Sequence, residues 1–468
     1  MKRLTTIIIL LTMTLSSFAQ TYQMPAEHLA HEGTWLQWPH QYEYGITYRN
    51  RLDATWVAMT SALVGSEKVH IIAYNATEQI RITNLLTTAN VSMTNVDFYL
   101  LQTNDVWVRD NGPIFVRDSA GSLHIEDWGF NGWGGDYNYN LCDPIPTSVG
   151  AAIGMPIVNL NTTMVAEGGS YELDGNGVLL ATKSSLLTQT NSGGALAIRN
   201  PGMTQFQAET IFTQYVGATK FIWLDGFLST DDVTDAHIDG FAKFADDSTL
   251  VTMNNSDLTY WGLSSTDIAT LYAASDMNNV AYNIVYVPLT QNNVVTAYGN
   301  NLGYKGSYCN YYVANNVVLV PNYNDPNDAV ANAIIQALYP GRTVVGIDCR
   351  NLYENGGMVH CVTQQQPSAS PSIGIYDDSQ GEIKVGQTFP NPFNQTTTIN
   401  VSLPTNANVQ IVIFNSLGQI VSQSVNSKYS AGNHSLTISA DGLENGIYTY
   451  IVTIDNQNTF SRRMIIAK

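Results

Sequence analysis

Val69-His70-Ile71-Ile72-Ala73, an apolar run of strand length, gives way to Glu78 to Leu86, where apolar residues recur at helical spacing. The same succession returns at Val317 to Val320 with Ala329 to Leu338, and Phe221-Ile222-Trp223-Leu224 supplies a further strand. Strand-length runs alternating with helical ones predict an α/β body between Tyr22 and Pro367. No G-x-G-x-x-G and no G-x-x-x-x-G-K-[ST] occurs, so no nucleotide cofactor is expected.

Outward from the body the texture changes at both ends. Ser368, Ser370, Pro371, Ser372 and Asp377-Asp378-Ser379 mark a polar linker over 368–383, too poor in apolar groups to pack. Beyond it Thr398 to Leu403, Val409 to Phe414 and Ile447 to Ile454 alternate apolar and polar residues between turns, which predicts a small all-β sandwich over 384–468. At the other end Met1-Lys2-Arg3, the apolar run Ile7 to Leu15 and the small residues of Ser17-Phe18-Ala19 predict a signal peptide over 1–19. That run is shorter than the roughly 20 residues that span a bilayer, and no later segment is apolar enough to cross one. The catalytic candidate is therefore 20–367, in an exported chain without a transmembrane segment.

Of the 468 residues, 38 are Asp or Glu and only 20 Lys or Arg, a formal charge of −18. Such a field repels nucleic acid and anionic lipid and favours a cationic substrate.

Four clusters set ionisable side chains beside glycines. In Trp107-Val108-Arg109-Asp110-Asn111-Gly112-Pro113 the Gly-Pro turn places Asp110 at a strand end, either exposed for binding or capping the turn and paired to Arg109. Glu167-Gly168-Gly169 repeats the pattern of an acid before flexible backbone. In Asp235-Ala236-His237-Ile238-Asp239-Gly240 the imidazole and carboxylate stand two apart, on one face of an extended chain. Such a pair serves acid-base chemistry, cation anchoring or metal ligation equally well. Glu354-Asn355-Gly356-Gly357-Met358-Val359-His360-Cys361 brings a thiol through a glycine pair, and strand alternation turns His360 away from whatever Cys361 faces. With no Cys-x-x-Cys or His-x-x-x-His spacing a metal is not expected. A thiol among carboxylates fits nucleophilic attack on a cationic electrophile such as a guanidinium.

Together these clusters resemble the agmatine deiminase and bacterial peptidylarginine deiminase family of guanidine-modifying enzymes. Met24-Pro25-Ala26-Glu27 with Gly33 to Pro39, the Arg109-Asp110 segment, Trp128 to Gly135, the His237-Asp239 pair and His360 to Pro367 all fall in family order. The resemblance implies a five-bladed pentein-type α/β propeller of ββαβ repeats around a central site. It implies Cys361 as nucleophile, His237 as acid and base, Asp110 and Asp239 as guanidinium anchors, and Glu167 completing the acidic cage or orienting His237. Trp107, Gly356 and Gly357 are expected to line the substrate, and no cofactor is implied. The terminal region resembles the type A sorting domain of the type IX secretion system in Gly386 to Asn394, Gly446-Ile447-Tyr448 and the basic ending Arg462-Arg463 to Lys468. That resemblance implies the type IX secretion machinery as a partner and a secreted or cell-surface location.

Peptidylarginine members of the family hold a substrate carboxylate with arginines where this chain has Phe130 to Gly135, without a basic residue. The expected substrate is therefore agmatine, with peptide arginine as the alternative. An amidinotransferase and a silent guanidinium binder are weaker rivals. Of the remaining cysteines, Cys142 and Cys309 are the pair to test first for a disulfide, whereas Cys349 reads as a buried small hydrophobe.

Overall fold

The computed structural model describes residues 22–468 apart from 188, 191–195, 198, 229–231, 370–382, 404, 416–418, 424–426 and 456–457. The expected signal peptide and most of the expected linker lie outside the described residues.

Among the described residues, five small sheets with one repeated connectivity and a two-stranded ribbon, Gln189–Thr190 with Leu196–Ala197, make up the body. In each of the five, an antiparallel pair is followed by a helical crossover to a parallel strand. Ile114–Asp118 and Leu123–Gly129 lead through helix Ile145–Ile153 to Ile157–Val165. Tyr171–Leu173 and Val178–Thr182 lead through Gln205–Tyr215 to Lys220–Leu224. Ala242–Phe244 and Thr249–Thr252 lead through Asn255–Trp261 and Ser265–Tyr272 to Asn283–Tyr286. Tyr312–Val313 and Val317–Asn322 lead through Asn327–Leu338 to Thr343–Asp348.

The remaining sheet joins the two ends of the body. Gln364–Pro367 pairs antiparallel with His31–Gln37, which is followed through Gln41–Leu63 by the parallel strand Lys68–Ala73 and through Ala76–Thr88 by Val96–Leu100. Trp35 Nε1 donates to Gln366 Oε1 at 2.9 Å, fixing the closing strand by a side chain as well as by its ladder.

The helices close over the sheets because their apolar positions share a face. Ala76–Thr88 starts on an Asn75 cap that accepts from Glu78 N and buries Ile82 and Leu86. Asn327–Leu338 buries Ala331 and Ile335 in the same way. Their side chains join Trp38, Trp56 and Val318 in the main core.

Residues 384–466 form a three-stranded and a five-stranded antiparallel sheet. Ile399, Val401, Tyr450, Val452 and Ile454 lie in a hydrophobic cluster of their own, distinct from those of the body. Among the described residues no helix is long and apolar enough to cross a membrane.

Three local expectations fail. Asp239 lies within a 3-10 turn, Ile238–Gly240, and His237 at its N-cap, in place of an extended run. His360–Val362 is likewise a 3-10 turn, and the strand begins only at Gln364. All four cysteines are free, Cys142 being packed with Phe130 and Trp133 while Cys309 sits in the main core.

Candidate active site

Each of the five segments that join one sheet to the next carries at least one of the chemically distinct groups, and one of them carries two. Asp110 lies between Val96–Leu100 and Ile114–Asp118, Glu167 between Ile157–Val165 and Tyr171–Leu173, and His237 with Asp239 between Lys220–Leu224 and Ala242–Phe244. Asn310 lies between Asn283–Tyr286 and Tyr312–Val313, and Cys361 between Thr343–Asp348 and Gln364–Pro367. Five separate links thus supply one site.

A cleft of about 1770 Å³ is lined by Trp107, Asp110, His237, Asp239, Gly356, Gly357 and Cys361. Glu167 is fully buried behind it, outside the cleft lining and in contact with His237. Asp110 occupies a helical turn, Val108–Asn111, where Oδ1 accepts from Gly169 N at 3.2 Å and Oδ2 from Trp133 Nε1 at 3.0 Å. Arg109 leaves it for Gln365 Oε1, 2.8 Å away, and for Glu27 Oε2, so the turn-capping Arg109 pair is not formed.

Space explains the glycines. A Cβ on Gly169 would come within 2.7 Å of His237 Nδ1 and 2.8 Å of Asp110 Oδ1, and one on Gly168 within 2.2 Å of Arg109 O. A Cβ on Gly357 would meet the Trp107 ring at 2.1 Å, whereas Gly356 takes a left-handed φ of 87° that favours glycine.

His237 is held between two carboxylates, with Nε2 3.2 Å from Glu167 Oε2 and Nδ1 3.6 Å from Asp110 Oδ1. Burial acts to lower its pKa, but Asp110, Glu167 and Asp239 together outweigh burial and raise it to about 9. Burial, partly offset by His237, pushes Asp110 up to about 6. Asp239 moves the other way in spite of burial, because His360 Nδ1 lies 2.9 Å from Oδ2 and holds the carboxylate below its usual range.

The same Asp239 Oδ2 is 3.8 Å from Cys361 Sγ. Burial and the negative charges of Asp239 and Asp110 push the Cys361 thiol well above its ordinary pKa, so the sulfur in this arrangement is protonated. The Met358 backbone and Asn310 supply opposing influences. Asn310 Oδ1 accepts from His360 N at 2.9 Å, which turns Nδ2 toward Sγ, 3.4 Å away, as a donor ready for a thiolate.

The family model described as Porphyromonas-type peptidyl-arginine deiminase matches residues 23–367. The chain belongs to that family. Its enzymes act on guanidino C–N bonds. Residues 387–467 match a secretion system C-terminal sorting domain. An agmatine deiminase of Pseudomonas aeruginosa is 29% identical over 373 residues, 75% of this chain and 96% of that enzyme. Among solved structures, an agmatine deiminase of Enterococcus faecalis superposes with a TM-score of 0.63 at 24% identity, over 75% of this chain and 98% of that one. A substrate-bound agmatine deiminase of C. jejuni gives 0.62 at 22%, over 74% and 96%.

Sequence reasoning about this deiminase missed the groups behind the cleft. Asn310 is a lone asparagine without a motif. His360 lies outside the cleft lining, yet shares Asp239 with Cys361 and reaches Glu27 Oε2 at 2.7 Å. Lys243 stands 3.1 Å from both Glu27 Oε1 and Glu172 Oε1, completing a buried chain of alternating charge. Glu27 carried a signal, since it falls in the first family-like motif; Lys243 carried none, nor did Arg199, whose Nε donates to Glu167 Oε1 at 3.1 Å.

Proposed function

We propose that this deiminase hydrolyses agmatine to N-carbamoylputrescine and ammonia through a covalent cysteine intermediate. The observation that carries the reading is the meeting of Cys361, His237, Asp110 and Asp239 at one cleft. A guanidinium lying between the two aspartates is held by charge-assisted hydrogen bonds. Its charge cancels the field that keeps the thiol protonated, so substrate arrival itself lowers the thiol pKa, and Asp239 Oδ2 is in reach to receive the proton. The thiolate attacks the guanidinium carbon. Ammonia leaves from the tetrahedral adduct with a proton from His237, whose Nδ1 faces Asp110 at the cleft. His237 then takes a proton from water, which attacks the thiouronium carbon; as this second adduct collapses its hydroxyl proton passes to solvent, the thiolate leaves with formation of the ureido product, and the sulfur recovers its proton from Asp239.

The cleft lining supports agmatine over arginine. Among the described residues it holds Glu43, Asp105, Asp136, Asp232 and Glu354 but no arginine, and Lys305 is its one lysine. An amine-ended chain suits that wall and a carboxylate does not. The volume favours a second reading, peptide arginine, because about 1770 Å³ exceeds the roughly 300–1,000 Å³ of ordinary small-molecule pockets.

The five sheets of like connectivity are read as the five blades of a pentein-type propeller, and the terminal sheets as a sandwich. The sorting domain supports export through the type IX machinery to the cell surface, preceded by removal of residues 1–19; 20–367 is the catalytic body. The deciding assay measures ureido product and ammonia on agmatine, free arginine and arginine peptides, with Cys361→Ala as blank. Turnover of agmatine alone supports the reading, preference for peptides transfers it to peptidylarginine, and no Cys361-dependent turnover ends it.

A further inference from the structure

The loop that carries His237 is held in an unfavourable backbone conformation. Asp235 and Ala236, consecutive and neither of them glycine, have φ of 57° and 66° and are both buried. Left-handed backbone carries a steric cost for residues with a Cβ, and it persists only where surrounding contacts over-determine it. Here several do. Asp232 Oδ2 accepts from Ala236 N at 3.0 Å, Thr182 Oγ1 donates to Ala236 O at 2.8 Å and Ser184 Oγ to Asp235 O at 2.7 Å.

One side chain ties this loop to the carboxylate that faces the histidine. Arg199, 3% exposed, donates from Nη1 to Asp235 Oδ2 and from Nη2 to Val233 O at 3.2 Å. Its Nε donates to Glu167 Oε1 at 3.1 Å, and Glu167 Oε2 is the atom that meets His237 Nε2. The adjacent Asn200 fixes the other approach. Its Nδ2 donates to Val165 O at 2.7 Å and its Oδ1 accepts from Val165 N at 2.8 Å, two residues before Glu167.

We infer that Arg199 is the positioning residue of His237, one planar guanidinium holding both the strained loop beneath the imidazole and the carboxylate that orients it. The fork geometry matters, because a lysine ammonium cannot engage two carboxylates and a carbonyl from fixed directions. Arg199 touches neither the cleft nor any reacting atom, so its influence passes through Glu167 and the loop.

The charged groups around the imidazole give a readout that packing alone would not move. His237 faces Glu167, Asp110 and Asp239, with Arg199 and Asp235 behind. Burial opposes ionisation of Glu167, and Arg199 is the first influence that overcomes it. Without Arg199, Glu167 takes up a proton, one anion facing His237 disappears, and the imidazole becomes easier to deprotonate.

The inference rests on His237 as proton donor in the proposed reaction, and one arm of its test needs no turnover. In the full chain, Arg199→Gln and Arg199→Lys are compared with wild type by NMR titration of labelled histidine and by steady-state kinetics on agmatine. The expected result is a His237 midpoint lower by about one pH unit or more in Arg199→Gln. Its kcat falls about tenfold or more with KM within about threefold, and Arg199→Lys recovers part of both. An unmoved midpoint in folded Arg199→Gln overturns the inference, as does a KM rise with kcat intact, or loss of fold in both variants. A wild type that turns over no guanidine while its His237 still responds to Arg199 sinks the reaction and keeps the positioning role.

Discussion

At the scale of single residues the site is a balance of charges. Asp110 must be ionised to hold a guanidinium, so activity falls as pH drops through about 6. His237 must carry its proton to release ammonia, so activity falls as pH rises through about 9. A bell-shaped kcat/KM profile between those limits is the expected outcome, and a profile still rising above the upper limit would contradict it. The protonated Cys361 predicts slow alkylation by iodoacetamide at neutral pH, accelerated by a non-reacting guanidinium compound that cancels the aspartates' charge. Gly169→Ala tests the crowding around His237 and Asp110. A displacement of that order lowers kcat by about a hundredfold while circular dichroism stays native.

At the scale of elements, strand Leu123–Gly129 buries a carboxyl that the chemistry does not use. Glu126 Oε2 accepts from Trp128 Nε1 at 3.0 Å, Oε1 has no hydrogen-bond partner among the described residues, and burial raises the carboxyl well above its ordinary pKa. A carboxyl with a raised folded pKa gives stability below its unfolded value that is lost as pH rises toward the folded one. Glu126→Gln is therefore expected to leave the melting temperature unchanged near pH 4 and to stabilise by about 1–3 kcal/mol at pH 8. Equal effects at both pH values would refute this. Helices and strands such as Ala76–Thr88 and Val317–Asn322 were legible because burial on one face imposes a period on the sequence. The turns Ile238–Gly240 and His360–Val362 were not, since one turn of 3-10 helix is too short to show a period. The clusters still named residues that the fold brings together, because acids and a thiol beside glycines mark close approach whatever the local backbone does.

At the scale of the molecule, the site residues span Asp110 to Cys361 and meet only because the last strand of the body returns to the first. The sequence carried the members of this assembly but not its buried supports, since Asn310, Arg199 and Lys243 acquire meaning only from long-range partners. Two truncations follow. A chain ending at Ala369 keeps the closing strand and is expected to retain kcat within about twofold, as a unit with its own core. One ending at Thr363 loses the pairing with His31–Gln37 and the Trp35 to Gln366 bond, and is expected to unfold, which thermal melting and limited proteolysis would show.

The neighbouring strands at the two ends of the body also mean that the order of the sheets along the chain is a convention of where synthesis starts. A gene that joins residue 369 to residue 22 through a flexible bridge and opens instead at the exposed Asn278-Asn279 turn would present the same five links to the same cleft in rotated order. Circular permutation is thus a change this architecture can absorb, and an evolutionary route by which a relative could carry its nucleophile near the start of the chain.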